Sequence, residues 1–389
     1  MKFHRSGDRR GFALLVALAA LVIIGGLIVG AFFASTQEYR IGRNTVLQSR
    51  AMTAAEFGLN TVMRSDVWKD TWNTTTSAGD LLLNTSFDPG DGSSGNVQVT
   101  SLGEGNFLVV SEGFAGSALG AQGRKRLGGL LRLFGPKFEL HGAVTTKGSI
   151  KIAGSTEVHG EDTSPDNWLD CPPGATSVAG ISYSPSTAPT MNCSTADCVT
   201  GNPPLSPDSA ADDPATYNVF GDLTYADLTA LATKTIPGGQ TFTNLAPMWK
   251  TDANGNVYCD RTYQSNWGDP LHTFSETSCQ SYYPIIHVTG NLTITGGAGQ
   301  GILLVDGDLN ASGGVMFVGP VIVKGALSVT GNGSGARFIG GVMAENVYLD
   351  DSKMAGNAVV SYSTCAISKA VAGSARPVFD SERGWIDMY

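Results

Sequence analysis

The chain has 389 residues, too many for one small domain, and 50 of them are glycine, nearly twice the usual share of about 7%. Charged residues make up 15%, against about 25% in an average soluble chain. No G-x-y period is present, which excludes collagen, and 42% apolar content excludes a mostly disordered chain; a net charge of −9 with no basic surface argues against a nucleic-acid partner.

The N-terminal residues point to a compartment. From Phe12 to Ala34 there are 23 residues without a charge, enough as a helix to cross a hydrocarbon core of about 30 Å. Lys2, Arg5, Arg9 and Arg10 against Asp8 put +3 ahead of that run. The positive-inside bias then predicts a cytoplasmic N-terminus with the rest of the chain outside. A signal peptide has a shorter apolar stretch, about 7–15 residues, ending at a small-residue cleavage site. Here the run continues without a break into STQEYRIGRNTVLQSRAMTAAEFGLNTVMRSDVW. In that continuation Val46, Leu47, Ala51, Ala54, Ala55, Gly58, Leu59 and Val62 recur at spacings of three and four, an apolar stripe on a helix. One helix over 12–66 is predicted, apolar all round in its first half and amphipathic in its second.

The basic leader ending in Gly11, then Phe12, the apolar span and the amphipathic continuation QEYRIGRNTVLQSRAMTAAEFGLN resemble a type IV prepilin, and the continuation resembles that of the PilX-type minor pilins. The resemblance covers about the first 65 residues. It implies that residues 1–11 are a leader, that prepilin peptidase cuts between Gly11 and Phe12, and that Phe12 is N-methylated. It also implies an inner-membrane stage followed by packing against other pilins in a pilus. Major pilins carry a glutamate at the fifth mature position, whereas this chain has Val16. A buried carboxylate is favourable only when paired, so its loss suits a subunit with no neighbour above it.

Residues 67–135 are expected to form a small antiparallel sheet. NVQVTSLGEGNFLVVSEGFAG reads as a hairpin turning at Gly103 and Gly105, and RKRLGGLLRLF as its partner strand, together covering the helix stripe.

The C-terminal half repeats itself. LHGAVTTKGSIKI from Leu140, IIHVTGNLTI from Ile285, GILLVDGDL from Gly301 and FVGPVIVKGALSV from Phe317 align, with a weaker copy in IGGVMAENVYL. Gly290, Gly307 and Gly325 recur after 17 and 18 residues. Ile286, Val288, Leu292 and Ile294 share one parity, with His287, Thr289, Asn291 and Thr293 between them. A period of two inside a repeat of that length, with glycine at the corner, predicts a β-solenoid over 136–160 and 285–364, similar to the bactofilin-like solenoids. The fold class is therefore α+β: a long transmembrane pilin-type helix, a small antiparallel sheet, and a solenoid with a long disulfide-containing insertion.

That insertion, 161–284, holds nine of the 17 prolines between Pro165 and Pro214 and is rich in Trp and Tyr. It is expected to project as a stapled subdomain whose exposed aromatics meet a surface or host ligand. Cys171, Cys193, Cys198, Cys259, Cys279 and Cys365 in an exported chain suggest disulfides. Fifteen connectivities are open; Cys193 with Cys198 and Cys259 with Cys279 are the local choices, leaving Cys171 for Cys365. The tail 365–389 shows no rung pattern.

Other candidates weigh less. Asp252, Asn254, Asn256 and Asp260 suggest calcium, but Gly255 is misplaced for an EF-hand loop, and Asn254-Gly255 is a hairpin turn signal. His141 and His159, 18 residues apart, would stack on adjacent rungs as repeat residues or metal ligands. Asp306 and Asp308, with Lys324 a rung away, are the acidic and basic groups that a polysaccharide-active β-helix enzyme would use. No nucleophile-elbow, zincin or Walker motif occurs. No cofactor, metal or catalytic role is expected. A structural minor pilin displayed on a pilus or secretion filament is the leading expectation. A membrane-tethered β-helix enzyme and a bactofilin-like envelope scaffold are the alternatives.

Overall fold

A computed structural model of the chain describes residues 10–64, 77–103, 105–116, 122–169, 171, 174, 176–194, 197–273, 277–331, 335–345, 353–379 and 386–388. The leader ahead of Arg10, the stretch from 65 to 76 and the end of the weak repeat copy (346–349) lie outside the described residues. The chain divides into two units, one holding the N-terminal helix and the small sheet, the other running from Arg132 to Val378.

In the first unit helix α1 spans Arg10–Arg64, about 80 Å at 1.5 Å per residue. Strands β1 (Leu81–Phe87), β2 (Ser93–Gly103), β3 (Asn106–Gly116) and β4 (Gln122–Phe134) form an antiparallel sheet in that order. The β2–β3 hairpin closes with Gly103 opposite Asn106, and Gly103 and Gly105 take positive φ (87° and 77°), as the turn reading requires. Alternation on β2 and β3 buries Val97, Val99, Phe107 and Val109. The tail supplies two more strands beside β4, Arg376–Phe379 and Ile386–Met388, the latter pairing antiparallel with it.

The second unit is a large curled parallel sheet wound as a solenoid. Each turn runs through three parallel ladders. In the first, Ile286, Leu303, Val321, Val342, Val144, Ile181 and Leu205 stand in register. In the second, Phe242, Ile294, Ala311, Val329, Met354, Ile152 and Met191 do. Gly299, Phe317, Phe338, Val360, Val158 and Val199 make the third. These inward columns are the core, with Phe317 and Phe338 fully buried at its centre. Where the third ladder turns back into the first, Gly319 has φ +130°, and an added Cβ would lie 2.0 Å from the Gly301 carbonyl oxygen. Only glycine fits that corner.

The order of turns differs from the expectation of a solenoid with a projecting insertion. Along the stack the first ladder runs 234–237, 285–289, 302–305, 321–323, 342–344, then 142–146, 179–183 and 205–207. The chain therefore enters the solenoid near one end, winds two turns outward, and returns to the opposite end to wind towards its own start. Much of the insertion is rung, not appendage. The 179–207 and 234–242 strands become rungs because their backbone amides and carbonyls continue the parallel ladders of the turns beside them.

Residues 208–233 connect the two ends. Eight strands at about 4.8 Å spacing make the path some 34 Å long. The outward positions beneath it, Leu304, Ile322 and Met343, are buried, and Tyr217, Phe220, Leu223 and Leu228 of the connector belong to the same core cluster. Over the third ladder, helix Thr364–Ser374 and Trp168 cover Met316, Val318 and Ile339. Ser363 caps that helix, accepting from the Ala366 amide.

Candidate functional site

The α1 helix carries the clearest functional surface. Its apolar window has a mean hydropathy of 3.0, and none of that window is buried. Gly11 and Phe12 lie in the first turns of the helix; Phe12 is exposed, and so is Val16, at the place of the usual pilin glutamate. Beyond residue 46 the character changes. Leu47, Ala51, Ala54, Ala55, Gly58, Leu59 and Val62 are buried, while Val46, expected in the same stripe, is 53% exposed and points away from it.

Small residues set that interface. A Cβ on Gly113 of β3 would lie 2.1 Å from the Ala51 carbonyl oxygen, so helix and strand touch backbone to backbone. Phe57 and Phe87 pack at 5.8 Å between ring centroids alongside it. The sheet thus takes one stripe of the helix, and among the described residues none covers the apolar first half.

The polar candidates are held by structural partners. Asp306 accepts from the Tyr225 hydroxyl at 2.8 Å, and its other oxygen lies 2.9 Å from His287 Nε2. Burial, together with that bond, pushes the Tyr225 hydroxyl well above its ordinary pKa. Asp308 accepts from the Ala326 amide at 2.8 Å, stitching one corner to the next. Lys324 donates to the Tyr217 carbonyl, Asn218 Oδ1 and Glu345 Oε2. These outward charges fasten the connector and the corners.

His141 and His159 do not stack. The stretch between them crosses two corners, so His141 precedes a first-ladder strand and His159 ends a third-ladder strand of the same turn. His141 Nδ1 lies 2.7 Å from Asp208 Oδ2, and His159 Nδ1 lies 3.1 Å from Thr200 Oγ1. Asp208 sits where the connector leaves the stack. Burial works to raise its pKa, but the Ala210 amide and His141 outweigh that and hold its carboxyl below the ordinary value.

Asp252 accepts from the Asn254 and Asn256 amides at 2.8 and 2.9 Å, closing the turn of a hairpin between Trp249–Thr251 and Val257–Cys259. Asp260 instead pairs with Lys250 at 2.9 Å and accepts from Thr262. Among the described residues no group of three His, Cys, Asp or Glu side chains is placed to hold a metal.

The six cysteines form three disulfides, Cys193–Cys198, Cys259–Cys279 and Cys171–Cys365, the last tying the loop over the third ladder to the C-terminal helix across 194 residues. The insertion's tryptophans are not a display surface: Trp168 and Trp267 are buried, with Trp168 Nε1 donating to Pro270 O. Trp267 packs 5.4 Å from Phe242 and 6.2 Å from Phe317, closing the 234–242 end. Aromatic exposure in the insertion falls instead on Tyr258 and Tyr263. Parity in the strands foretells exposure only where nothing else covers the outer face, and here the loops bring aromatics inward.

No family model and no curated protein matches the chain. Among solved structures it is similar to the competence-associated pilin ComZ from Thermus thermophilus, at 12% identity over 88% of this chain and 98% of that one, with a TM-score of 0.27. At that score the likeness carries no argument about fold or activity.

Proposed function

We propose that the chain is a minor pilin of the PilX type, anchored in the inner membrane by α1 and then packed into a type IV pilus or related secretion filament. The observation that supports this most is the division of α1. Its first half is long enough and apolar enough to cross a bilayer and stays uncovered, while its second half is committed to its own sheet. A plain membrane anchor has no need of that docked continuation.

Other pilins would meet the apolar half of the helix, and prepilin peptidase would act between Gly11 and Phe12. Val16 suits a subunit at the tip, where no neighbour's amine needs a carboxylate. The solenoid would then be displayed, with Tyr258 and Tyr263 on its hairpin as the adhesive candidates. A structural role in place of a catalytic one is supported by the full engagement of Asp306, Asp308 and Lys324 in holding the solenoid together.

Mass spectrometry of the N-terminus of the protein recovered from its native cells is the direct test. A chain beginning at an N-methylated Phe12 is the expected result. An intact Met1 in surface-exposed material would overturn the pilin reading and favour a permanently tethered enzyme or scaffold.

A further inference from the structure

Lys324 stands on the outer face of the first ladder, directly beneath the connector. Its Nζ lies 2.6 Å from Asn218 Oδ1, 2.9 Å from Glu345 Oε2 and 2.9 Å from the Tyr217 carbonyl oxygen. The Tyr225 ring closes over it at 4.6 Å from the centroid. The Lys324 and Glu345 side chains are only 17% and 19% exposed. Glu345 follows Ala344, which is paired with Val323, so the carboxyl and the amine are neighbours on adjacent turns by the register of the sheet itself. Asn218 ends the short helix Pro214–Asn218, and its Nδ2 donates to the Pro214 carbonyl at 2.7 Å, which turns the Oδ1 side of the amide towards the lysine.

An ion pair needs Lys324 and Glu345 alone. The third member is an electrophile: a carboxamide held against an amine, beneath the Tyr225 ring, with a proton carrier in contact. We propose that Lys324 and Asn218 become joined by a side-chain amide bond, with Glu345 as the acid and base of the reaction. The ammonium of Lys324 first gives a proton to Glu345, leaving a neutral amine. That amine attacks Asn218 Cγ, and the carbonyl electrons move onto Oδ1. In the adduct Nζ and Nδ2 are bonded to the same carbon, so Nζ gives its extra proton to Nδ2, and the Cγ–Nδ2 bond breaks as the carbonyl re-forms and ammonia leaves. The released ammonia takes the proton held by Glu345, so the lysine ammonium and the asparagine amide become one secondary amide and one ammonium ion, with Glu345 again a carboxylate. No oxidant, metal or co-reactant enters.

The physical basis is proximity. An amine and a carbonyl fixed in contact react as an intramolecular pair, at an effective concentration no solution reaches. An amine that has given its proton to a carboxylate in contact is the form in which that side chain is nucleophilic. The product would be a covalent strap pinning the connector to the middle of the stack, where the two ends of the solenoid would otherwise be held together by burial and hydrogen bonds only. A domain displayed on a filament and pulled through it gains most from a bond at that position.

The full chain, purified in detergent and digested, decides the matter by tandem mass spectrometry. The expected product is a branched peptide joining Asn218 to Lys324, lighter than its two linear parts by one ammonia. The Glu345→Gln variant, folded as judged by its three intact disulfides, should give the two linear peptides instead. Linear peptides with a free Lys324 amine and an intact Asn218 amide in the unaltered protein would overturn the proposal. A branched peptide persisting in Glu345→Gln would overturn the role given to Glu345.

Discussion

Phe32 and Phe317 are the same residue in two regions that treat apolar surface in opposite ways. On α1, Phe32 is 71% exposed, one of a continuous run of uncovered Phe, Leu, Ile and Val side chains. In the solenoid, Phe317 is fully buried between the phenylalanine of the next turn and a tryptophan. A β-solenoid satisfies itself, because each turn buries its face on the next and loops cover what is left. The helix is satisfied for only half its length. Apolar surface on that scale is covered in service by lipid or by other chains. The contrast puts the uncovered apolar surface of the described residues on the helix rather than on the larger unit.

Truncating each phenylalanine should separate the two roles most strongly. Phe317→Ala should cost about 3–5 kcal/mol, read as a lowered midpoint in urea unfolding of the purified chain. Phe32→Ala should leave that midpoint unchanged, within about 0.5 kcal/mol, yet lower the fraction of the protein recovered in assembled filaments. Equal loss of stability in both variants would break the comparison, since it would place Phe32 inside the chain's own core.

The inward columns of the solenoid were readable in the sequence because parity is a local property. Ile286, Val288, Leu292 and Ile294 declare a buried face wherever the strand ends up. The glycine-marked turns were readable for the same reason, as were the long helix and the Gly103–Gly105 hairpin. The order of the turns was not. The strands 179–183, 190–193, 205–207 and 234–237 are short, the last three carry Cys or Pro, and only stacking on distant turns makes them rungs. The stacked histidines failed likewise: His141 and His159 are one repeat length apart in sequence but belong to different ladders of one turn. At the site, the apolar span and Val16 were legible as pattern. The engagement of Asp306 and Lys324 with the connector was not, because nothing in residues 208–233 says which face they cross. The disulfide pairing could be narrowed by proximity in sequence but depended on the fold to bring Cys171 beside Cys365.

A smaller effect distinguishes the two halves of α1 from each other. At Gly113 an added methyl meets the helix backbone at Ala51, which cannot move aside as a side chain can. Gly113→Ala should therefore cost about 1–3 kcal/mol by overpacking, measured by the same unfolding curve. At Gly30 an added methyl meets nothing within 4 Å. Gly30→Ala should leave the isolated chain as stable or slightly more so, since alanine favours a helix interior by about 1 kcal/mol over glycine. If neighbouring chains pack closely against that point, the same variant will instead reduce assembly. A Gly113→Ala protein as stable as its parent would show that helix and sheet do not touch as described.

The weakest of these effects concerns the connector, which is neither as buried as the columns nor as bare as the helix. Asp208, where it leaves the stack, has its carboxyl held below the ordinary value by the Ala210 amide and His141, against the opposing effect of burial. A carboxyl lowered on folding adds stability that is fully present above the ordinary carboxylate range and is lost as the pH falls through the lowered value. Asp208→Asn removes the charge and most of that contribution. Limited proteolysis within 208–233 should then be faster in the variant than in the parent at neutral pH. The two rates should converge on acidification, because the parent's carboxylate becomes protonated and loses its advantage over the amide. A difference that persists unchanged in acid would mean that the connector is secured at this end by packing alone, as the solenoid columns are, and that the Asp208 charge is incidental.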